Sequence, residues 1–246
     1  MENINPLISI ITTVKNGEKH LEECFESLQN QSYKHFEHIV IDGGSTDRTL
    51  EIINNHKSKI KFFSSQKDEG IYDGFNKGME QASGDYLGFL NSDDILLPDA
   101  LMTLKEYIVN KNYPDFIFGS VRKHWGILHG YKPWKIKFSW GFYSSHSTGF
   151  YIKNSSSKII GKYDLRYKYS SDYDYFYRMI VKHKMRGVAT KKNEIFGVFR
   201  RGGFSSKISF YDHFTEEIKI RLNNKQNRIL ILLIYIYKYI KNLSKL

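Results

Sequence analysis

Hydrophobic and polar positions switch between two periods along the first 110 residues. Leu7-Ile8-Ser9-Ile10-Ile11-Thr12-Thr13 is a short β-branched run, broken by the turn pair Asn16-Gly17, after which Leu21, Cys24, Phe25 and Leu28 recur at helical spacing. The unit then repeats. His38-Ile39-Val40-Ile41 reads as a strand ending in the polar stretch Asp42 to Asp47, where Ser45 or Thr46 can cap a helix carrying Leu50, Ile52 and Ile53. A third strand at Ile60 to Phe63 precedes Asp68-Glu69-Gly70 and a helix through Met79. A fourth, Tyr86 to Leu90, runs into Asn91-Ser92-Asp93-Asp94. Pro98 suits the first turn of a helix over about Asp99 to Val109, where its missing N–H is not needed. Such alternation predicts an α/β fold whose mostly parallel sheet is flanked by helices.

Each polar cluster follows a strand, so the clusters gather at the carboxyl edge of the sheet, where open α/β sheets bind ligands. Four meet there: Lys15/Asn16, Asp42 to Ser45, Asp68 to Asp73, and Asn91 to Asp94. Turns use Gly and Asn but have no general need for so many carboxylates. Carboxylates crowded round one cavity repel each other unless a cation sits among them. Asp93 and Asp94 offer hard oxygen ligands for Mg²⁺ or Mn²⁺, bridging to a phosphorylated ligand. The same four residues, Asn91 to Asp94, equally suit an Asx turn and helix cap. No G-x-G-x-x-G follows the first strand, and neither a P-loop nor a G-x-S-x-G elbow occurs. These absences disfavour a dinucleotide-binding dehydrogenase, a P-loop enzyme and an α/β-hydrolase.

The 246 residues suffice for one large domain with an appendage, and 41% hydrophobic residues with only 4 prolines describe a folded chain. The lone Cys24 leaves no internal disulfide and no cysteine zinc cluster, fits a reducing compartment, and reads as a buried position on its helix. Met1 to Pro6 lacks the basic and apolar regions of a secretory leader, and no apolar run reaches the ~20 residues of a membrane span. The net charge of +11 is unevenly placed: Lys219, Arg221, Lys225, Arg228, Lys238, Lys241 and Lys245 lie in the last 29 residues, which carry no acid. Within them Ile229 to Tyr237 is too short to span a bilayer yet too apolar for a solvated helix. With its lysines and tyrosines it reads as a basic amphipathic helix lying in an anionic membrane interface through residues 225–246. The other reading is a helix packed on the body or on a second subunit. No nucleic-acid motif accompanies the basic residues, so no nucleic-acid partner is expected.

The stretches Pro6 to Thr12, Leu28 to Tyr33, Ile41 to Asp47, Asp68 to Asp73 with Asn76-Lys77-Gly78, and Gly84-Asp85-Tyr86 to Asp94 together resemble the family-2 glycosyltransferases of the GT-A fold. Within that family they look most like bacterial enzymes that build surface polysaccharides, lipopolysaccharide and capsule included. The resemblance is strong over residues 6–110 and looser to about 206. It implies a GT-A domain over residues 1–215, with a nucleotide-sugar-binding half to about 110 and an acceptor-binding half after it, then a helical tail over 216–246. By the same resemblance Asp42 contacts the nucleotide base, Thr13 and Lys15 line the nucleoside pocket, and Asp68 and Asp73 lie near base and sugar. Asn76, Asn91, Ser92 and Asp93 complete the donor side. Asp93 matches the second acid of the Asp-x-Asp motif and is the implied metal ligand, with Asp94 beside it. Asn91 stands where many relatives have the first Asp, and its amide oxygen still accepts. Phe75 stands where many carry Arg, so no phosphate contact is carried over there.

In Tyr169 to Arg178 the resemblance locates an acid-containing helix start and puts the catalytic base on Asp172, with Asp174 as second choice. The alternative is that Asp172 only caps the helix carrying Phe176, Met179 and Ile180. His146-Ser147-Thr148-Gly149-Phe150 resembles a His-Gln segment without its Gln, so His146 either meets acceptor or diphosphate or is structural. Arg200-Arg201-Gly202-Gly203-Phe204-Ser205 resembles a loop closing over the donor, whose guanidinium groups can hold the diphosphate, or is a solvated basic turn. Trp125, Trp134, Trp140 and Phe142 stack on sugars or build core, and core is the safer reading.

The implied activity is inverting, metal-dependent transfer of a sugar from a nucleoside-diphosphate donor, a UDP-sugar, to a glycan or lipid-linked glycan acceptor at the cytoplasmic face of the membrane. Base and metal on opposite sides of the anomeric carbon imply a single displacement. Three rivals are an inactive nucleotide-sugar-binding module of a membrane-associated complex, a basic nucleic-acid binder, and a nucleotidyltransferase, although no glycine-rich, lysine-containing loop follows the first strand. No motif sets the sugar, the linkage or the choice between monomer and homo-oligomer.

Overall fold

Strands form where the β-branched and aromatic runs lie, and helices where apolar residues recur every three or four positions. The computed structural model describes residues 4–138, 147–200 and 209–242. The nucleotide-side elements are β1 (Ile8–Val14), α1 (Leu21–Gln29), β2 (Phe36–Asp42), α2 (Thr49–Asn55), β3 (Phe62–Ser65), α3 (Ile71–Gln81) and β4 (Tyr86–Phe89). Next come β5 (Ile95–Leu96), α4 (Ala100–Asn110), β6 (Phe116–Phe118), β7 (Ser120–Lys123) and β8 (Gly126–Leu128). The chain continues with β9 (Phe150–Lys153), α5 (Asn154–Ile160), α6 (Ser171–Tyr177), β10 (Gly187–Ala189) and β11 (Ile195–Val198), and ends in α7 (Phe210–Asn223) and α8 (Arg228–Lys241).

Seven strands make the central sheet in the order β10-β6-β9-β4-β1-β2-β3. Its β4-β1-β2-β3 half is parallel, with Ile11 opposite Ile39 and Phe89, while β9 runs antiparallel to both β4 and β6. A smaller sheet, β5-β11-β7-β8, stands beside it. The mostly parallel α/β architecture expected from the sequence is therefore present. One boundary moves: a 3-10 turn at Lys57–Lys59 delays the third strand, whose pairing starts with Phe62 opposite Ile39.

Successive residues of β1 and β2 point to opposite faces. Ile11, Ile39 and Ile41 pack with Phe75 of α3 and with Tyr175 and Phe176 of α6, whereas Ile8, Ile10 and Val40 pack with Leu21, Cys24 and Phe25 of α1 and Leu101 and Leu104 of α4. Cys24 is buried, as its spacing indicates. α3 lies so close to β1 that a Cβ at Gly74 would sit 2.7 Å from Thr13 Cγ2, so only glycine fits at that point of the helix. Trp125 and Trp134 are about three-fifths exposed, at 61% and 59%, which corrects the expectation that they build core. Trp140 and Phe142 lie outside the described residues.

α7 runs through the expected 215/216 boundary and docks on the body. Glu217, Arg221 and Lys238 form a buried ion cluster between α7 and α8, with Arg221 Nη1 also donating to the Lys137 carbonyl at 2.9 Å. Among the described residues no helix is long and apolar enough to cross a membrane.

Candidate active site

The loops leaving β1 and β2 are sewn together by backbone groups. Gly43 N–H donates to the Val14 carbonyl, Asn16 N–H to Ser45 Oγ, and Thr46 N–H to Asn16 Oδ1, each at 2.8 Å. Asn16 adopts the left-handed conformation, φ 52°, which Asn tolerates because its short side chain bonds locally. Lys15 is exposed at the tip of this loop. Thr13 is buried under α3. Asp42 is fully buried: Ser45 Oγ donates to Oδ1 at 2.5 Å and Ser65 Oγ to Oδ2 at 2.6 Å, while the Gly44 N–H adds a third bond at 3.2 Å. The carboxylate expected to contact the base thus also shapes the loop. The neighbouring carboxylate with a half-buried position is Asp68, which lies where only the missing side chain of Gly43 leaves room.

Asp73 and Asn76 likewise turn inward. Burial pushes the Asp73 carboxyl up, but the Lys77 ammonium at 2.8 Å and the Glu69 N–H more than offset it, holding the group below the usual range. Asn76 clamps the Tyr163 backbone through both ends of its amide, at 2.9 and 2.8 Å. Asn76 thus bonds the two halves of the chain together.

At the exit of β4 the four-residue cluster divides its work. Asp94 is fully buried and accepts from the Thr148 hydroxyl at 2.6 Å and the Arg200 N–H at 3.3 Å, with the Asn91 amide at 3.4 Å. It fastens this loop to two others. Asn91 Nδ2 donates to Ser147 Oγ at 2.9 Å, while Asn91 Oδ1 is buried with no partner among the described residues. Asp93 is half-buried beside it, and Ser92 Oγ packs against Gly17. An orphaned amide oxygen next to a carboxylate is a hard-oxygen pair that fits Mg²⁺ or Mn²⁺. Among the described residues no three His, Cys, Asp or Glu side chains cluster to hold a metal unaided. An open site of this kind suits a cation completed by phosphate oxygens.

Arg200 bridges to the start of α1. Its Nη1 meets His20 Nδ1 at 2.7 Å and its Nη2 pairs with Glu23, so the exit of β11 is tied to α1. Burial first, then the Arg200 charge, holds the His20 imidazole below its ordinary value, against the raising effect of Asp93. Arg201 and His146 lie outside the described residues.

Asp172 stands in the first turn of α6, half-buried. Its Oδ1 accepts from the Tyr173 N–H at 2.8 Å and from the Tyr72 hydroxyl at 3.2 Å. Asp174 is buried and committed elsewhere: Arg178 Nε donates at 2.8 Å and Asn224 Nδ2 at 2.9 Å. Glu216 of α7 accepts the N–H groups of Lys168, Tyr169 and Ser170, each at 2.8 Å, and so holds the segment that leads into Asp172. Sequence reasoning passed over Tyr72, Glu216 and Lys123. Lys123, on β7, lies 4.3 Å from the centre of the Phe199 ring; burial lowers its pKa against the raising fields of Asp94 and Asp172. Only its place within a polar β-strand could have signalled Lys123, and that pattern is common on surfaces.

A model of the family described as Glycosyl transferase family 2 matches residues 9–173, more than half the chain. A glycosyltransferase of Haemophilus influenzae is 46% identical over 99 residues, 39% of this chain and 40% of that protein. The PGL/p-HBAD biosynthesis glycosyltransferase of Mycobacterium bovis is 30% identical over 207 residues, 78% of this chain and 79% of its own length. The GalNAc(5)-diNAcBac-PP-undecaprenol β-1,3-glucosyltransferase of Campylobacter jejuni is 37% identical over 119 residues, spanning 47% of this chain and 38% of that protein. Among solved structures, Staphylococcus aureus TarS in complex with UDP superposes with TM-score 0.68 at 18% identity, covering 87% of this chain and 63% of that one. The mannosyltransferase PcManGT of Pyrobaculum calidifontis, in complex with GDP-Man and Mn²⁺, gives TM-score 0.65 at 13% identity, covering 96% and 70%. The ordered motifs, the sheet order and these likenesses converge, and the chain belongs to glycosyltransferase family 2 with the GT-A fold.

Proposed function

We propose that this chain moves a sugar from a nucleoside-diphosphate donor, a UDP-sugar, to a hydroxyl of a glycan or lipid-linked glycan in bacterial surface-polysaccharide synthesis. The observation that carries the reading is Asp172: half-buried in the first turn of α6, with its Oδ1 held by the Tyr72 hydroxyl and the Tyr173 N–H, whereas Asp174 is buried in an ion pair with Arg178. Asp172 takes the proton of the acceptor hydroxyl as that oxygen attacks the anomeric carbon, and the nucleoside diphosphate leaves from the other side, so configuration inverts. Lys15, Thr13, Asp68 and Ser92 border the nucleoside and Lys123 supplies fixed positive charge, while the roles of Arg201 toward the diphosphate and His146 toward the acceptor are carried by the family resemblance alone. Asp93 with Asn91 Oδ1 would hold Mn²⁺ or Mg²⁺, which when bound neutralises charge on the departing diphosphate. Support for the donor class comes from the neighbours bound to UDP and to GDP-Man with Mn²⁺, and for a lipid-linked acceptor from the name of the C. jejuni relative. The protein would then work as a peripheral protein on the cytoplasmic face of the membrane.

Calorimetry of the full chain with UDP and UDP-sugars, with and without Mn²⁺, joined to turnover of Asp172→Asn, tests this. Nucleotide-sugar affinity should stay within about twofold while turnover falls by roughly 10²–10⁴. Retained turnover removes Asp172 from the role, and absence of nucleotide binding under every metal condition removes the donor site. Release of pyrophosphate in place of nucleoside diphosphate would instead identify nucleotidyl transfer.

A further inference from the structure

α8 presents its residues the wrong way round for a helix in water. Ile231, Ile234 and Lys238 face inward, and Lys238 buries its ammonium on both oxygens of Glu217, at 2.8 and 2.6 Å. Ile229, Leu232, Leu233, Ile236, Tyr237 and Ile240 face outward at helical spacing, each between 45 and 71% exposed. Packing thus selects one apolar stripe that the body of the protein does not cover. Its rim is cationic: Lys225, Arg228 and Lys241 are exposed, and the chain carries no acid after Glu217. An apolar stripe with a tyrosine at one end and a basic rim matches the acyl boundary and anionic headgroups of a bilayer, whereas a second copy of the stripe would bring two positive rims together. The same hairpin reaches the chemistry, because Glu216 holds the three N–H groups ahead of Asp172.

We propose that the outward face of α8 docks on an anionic lipid bilayer and that α7, through Glu216, fixes the Asp172 segment relative to that surface, so that an acceptor carried in the bilayer meets the base. Docking stands on the helix alone; the presentation of acceptor rests on the proposed role of Asp172.

Deleting the tail would expose Glu217 and Arg221, so the test uses exposed positions in the full chain. Vesicles of phosphatidylcholine, and of phosphatidylcholine mixed equally with phosphatidylglycerol, are sedimented with the parent and with Leu233→Gln/Ile236→Gln, while melting and UDP binding are followed separately. The parent should partition at least tenfold more into the anionic vesicles than into the neutral ones, and the double variant should lose that partitioning with melting and UDP binding unchanged. A parent that stays in the supernatant, a variant that sediments like the parent, or a concentration-dependent dimer dispersed by the two substitutions overturns docking. UDP binding in the same samples shows whether the donor site survives that outcome. Glu216→Gln should keep vesicle partitioning and donor KM while kcat falls several-fold, and an unchanged kcat overturns the part given to Glu216.

Discussion

The Tyr72 hydroxyl lies 3.2 Å from Asp172 Oδ1 and so joins α3, in the nucleotide half, to the start of α6 in the acceptor half. The ring is held independently, stacked on Tyr163 with centroids 5.5 Å apart, and Tyr163 is itself stacked on Tyr175 at 4.4 Å. Donor side and proposed base are therefore linked by one hydroxyl on a fixed ring.

Tyr72→Phe removes that hydroxyl and leaves the stack. A hydrogen bond to a charged group is worth ~1.5–3 kcal/mol, and 1.4 kcal/mol is a factor of ten in rate, so kcat should fall roughly 10- to 100-fold. Donor KM should hold, because the lost bond orients a proton acceptor and not the nucleotide. Steady-state kinetics decides: a raised donor KM at constant kcat would move Tyr72 into the binding site.

Glu217 pairs with both Arg221 and Lys238, and all three are buried. Glu217→Gln leaves two buried cations facing a neutral amide, and breaking such a pair costs ~3–5 kcal/mol. For a chain of this size each kcal/mol is roughly 2–4 °C, so the melting temperature should drop by about 10 °C. Adding Lys238→Met should restore part of the loss, since one unpaired charge is then gone. Equal melting of the parent and both variants would show that the cluster contributes no stability.

The fold was legible because its signals are local. The β-branched run at Ile8 to Thr13 and the helical spacing of Leu21, Cys24, Phe25 and Leu28 each specify an element without help from elsewhere. The site was legible only to the level of its loops. Asp42, Asn76 and Asp94 sit where the motifs put them, and each also holds partners up to 106 residues away, such as the Arg200 N–H on Asp94. A sequence shows that a polar side chain stands at a strand exit; it does not show whether a distant backbone N–H satisfies that side chain before a ligand can. Tyr72 and Glu216 escaped for the same reason, since their contacts with the Asp172 segment exist only once α3, α6 and α7 are packed together. The tail misled in a subtler way: of its lysines and arginines, Arg221 and Lys238 are buried on Glu217 and are not part of the exposed basic rim.

His38 offers a pH test that needs no substrate. It is buried on β2, bonded to Thr12 Oγ1 at 2.9 Å and set edge-on to Phe25, and burial, aided by the nearby His56, brings its pKa down to about 3. Between that value and the ordinary 6.5, the unfolded chain takes up a proton that the folded chain refuses. Stability must therefore fall as pH falls through this window, by about 1.4 kcal/mol per unit, and this site is silent above pH 7. His38→Gln removes the titrating group but can keep a bond to Thr12. Denaturant unfolding at pH 7 and pH 5 should show the parent losing about 2 kcal/mol more than the variant over that interval. The comparison cancels the carboxylates common to both proteins, so parallel losses would mean that His38 accepts its proton in the folded state.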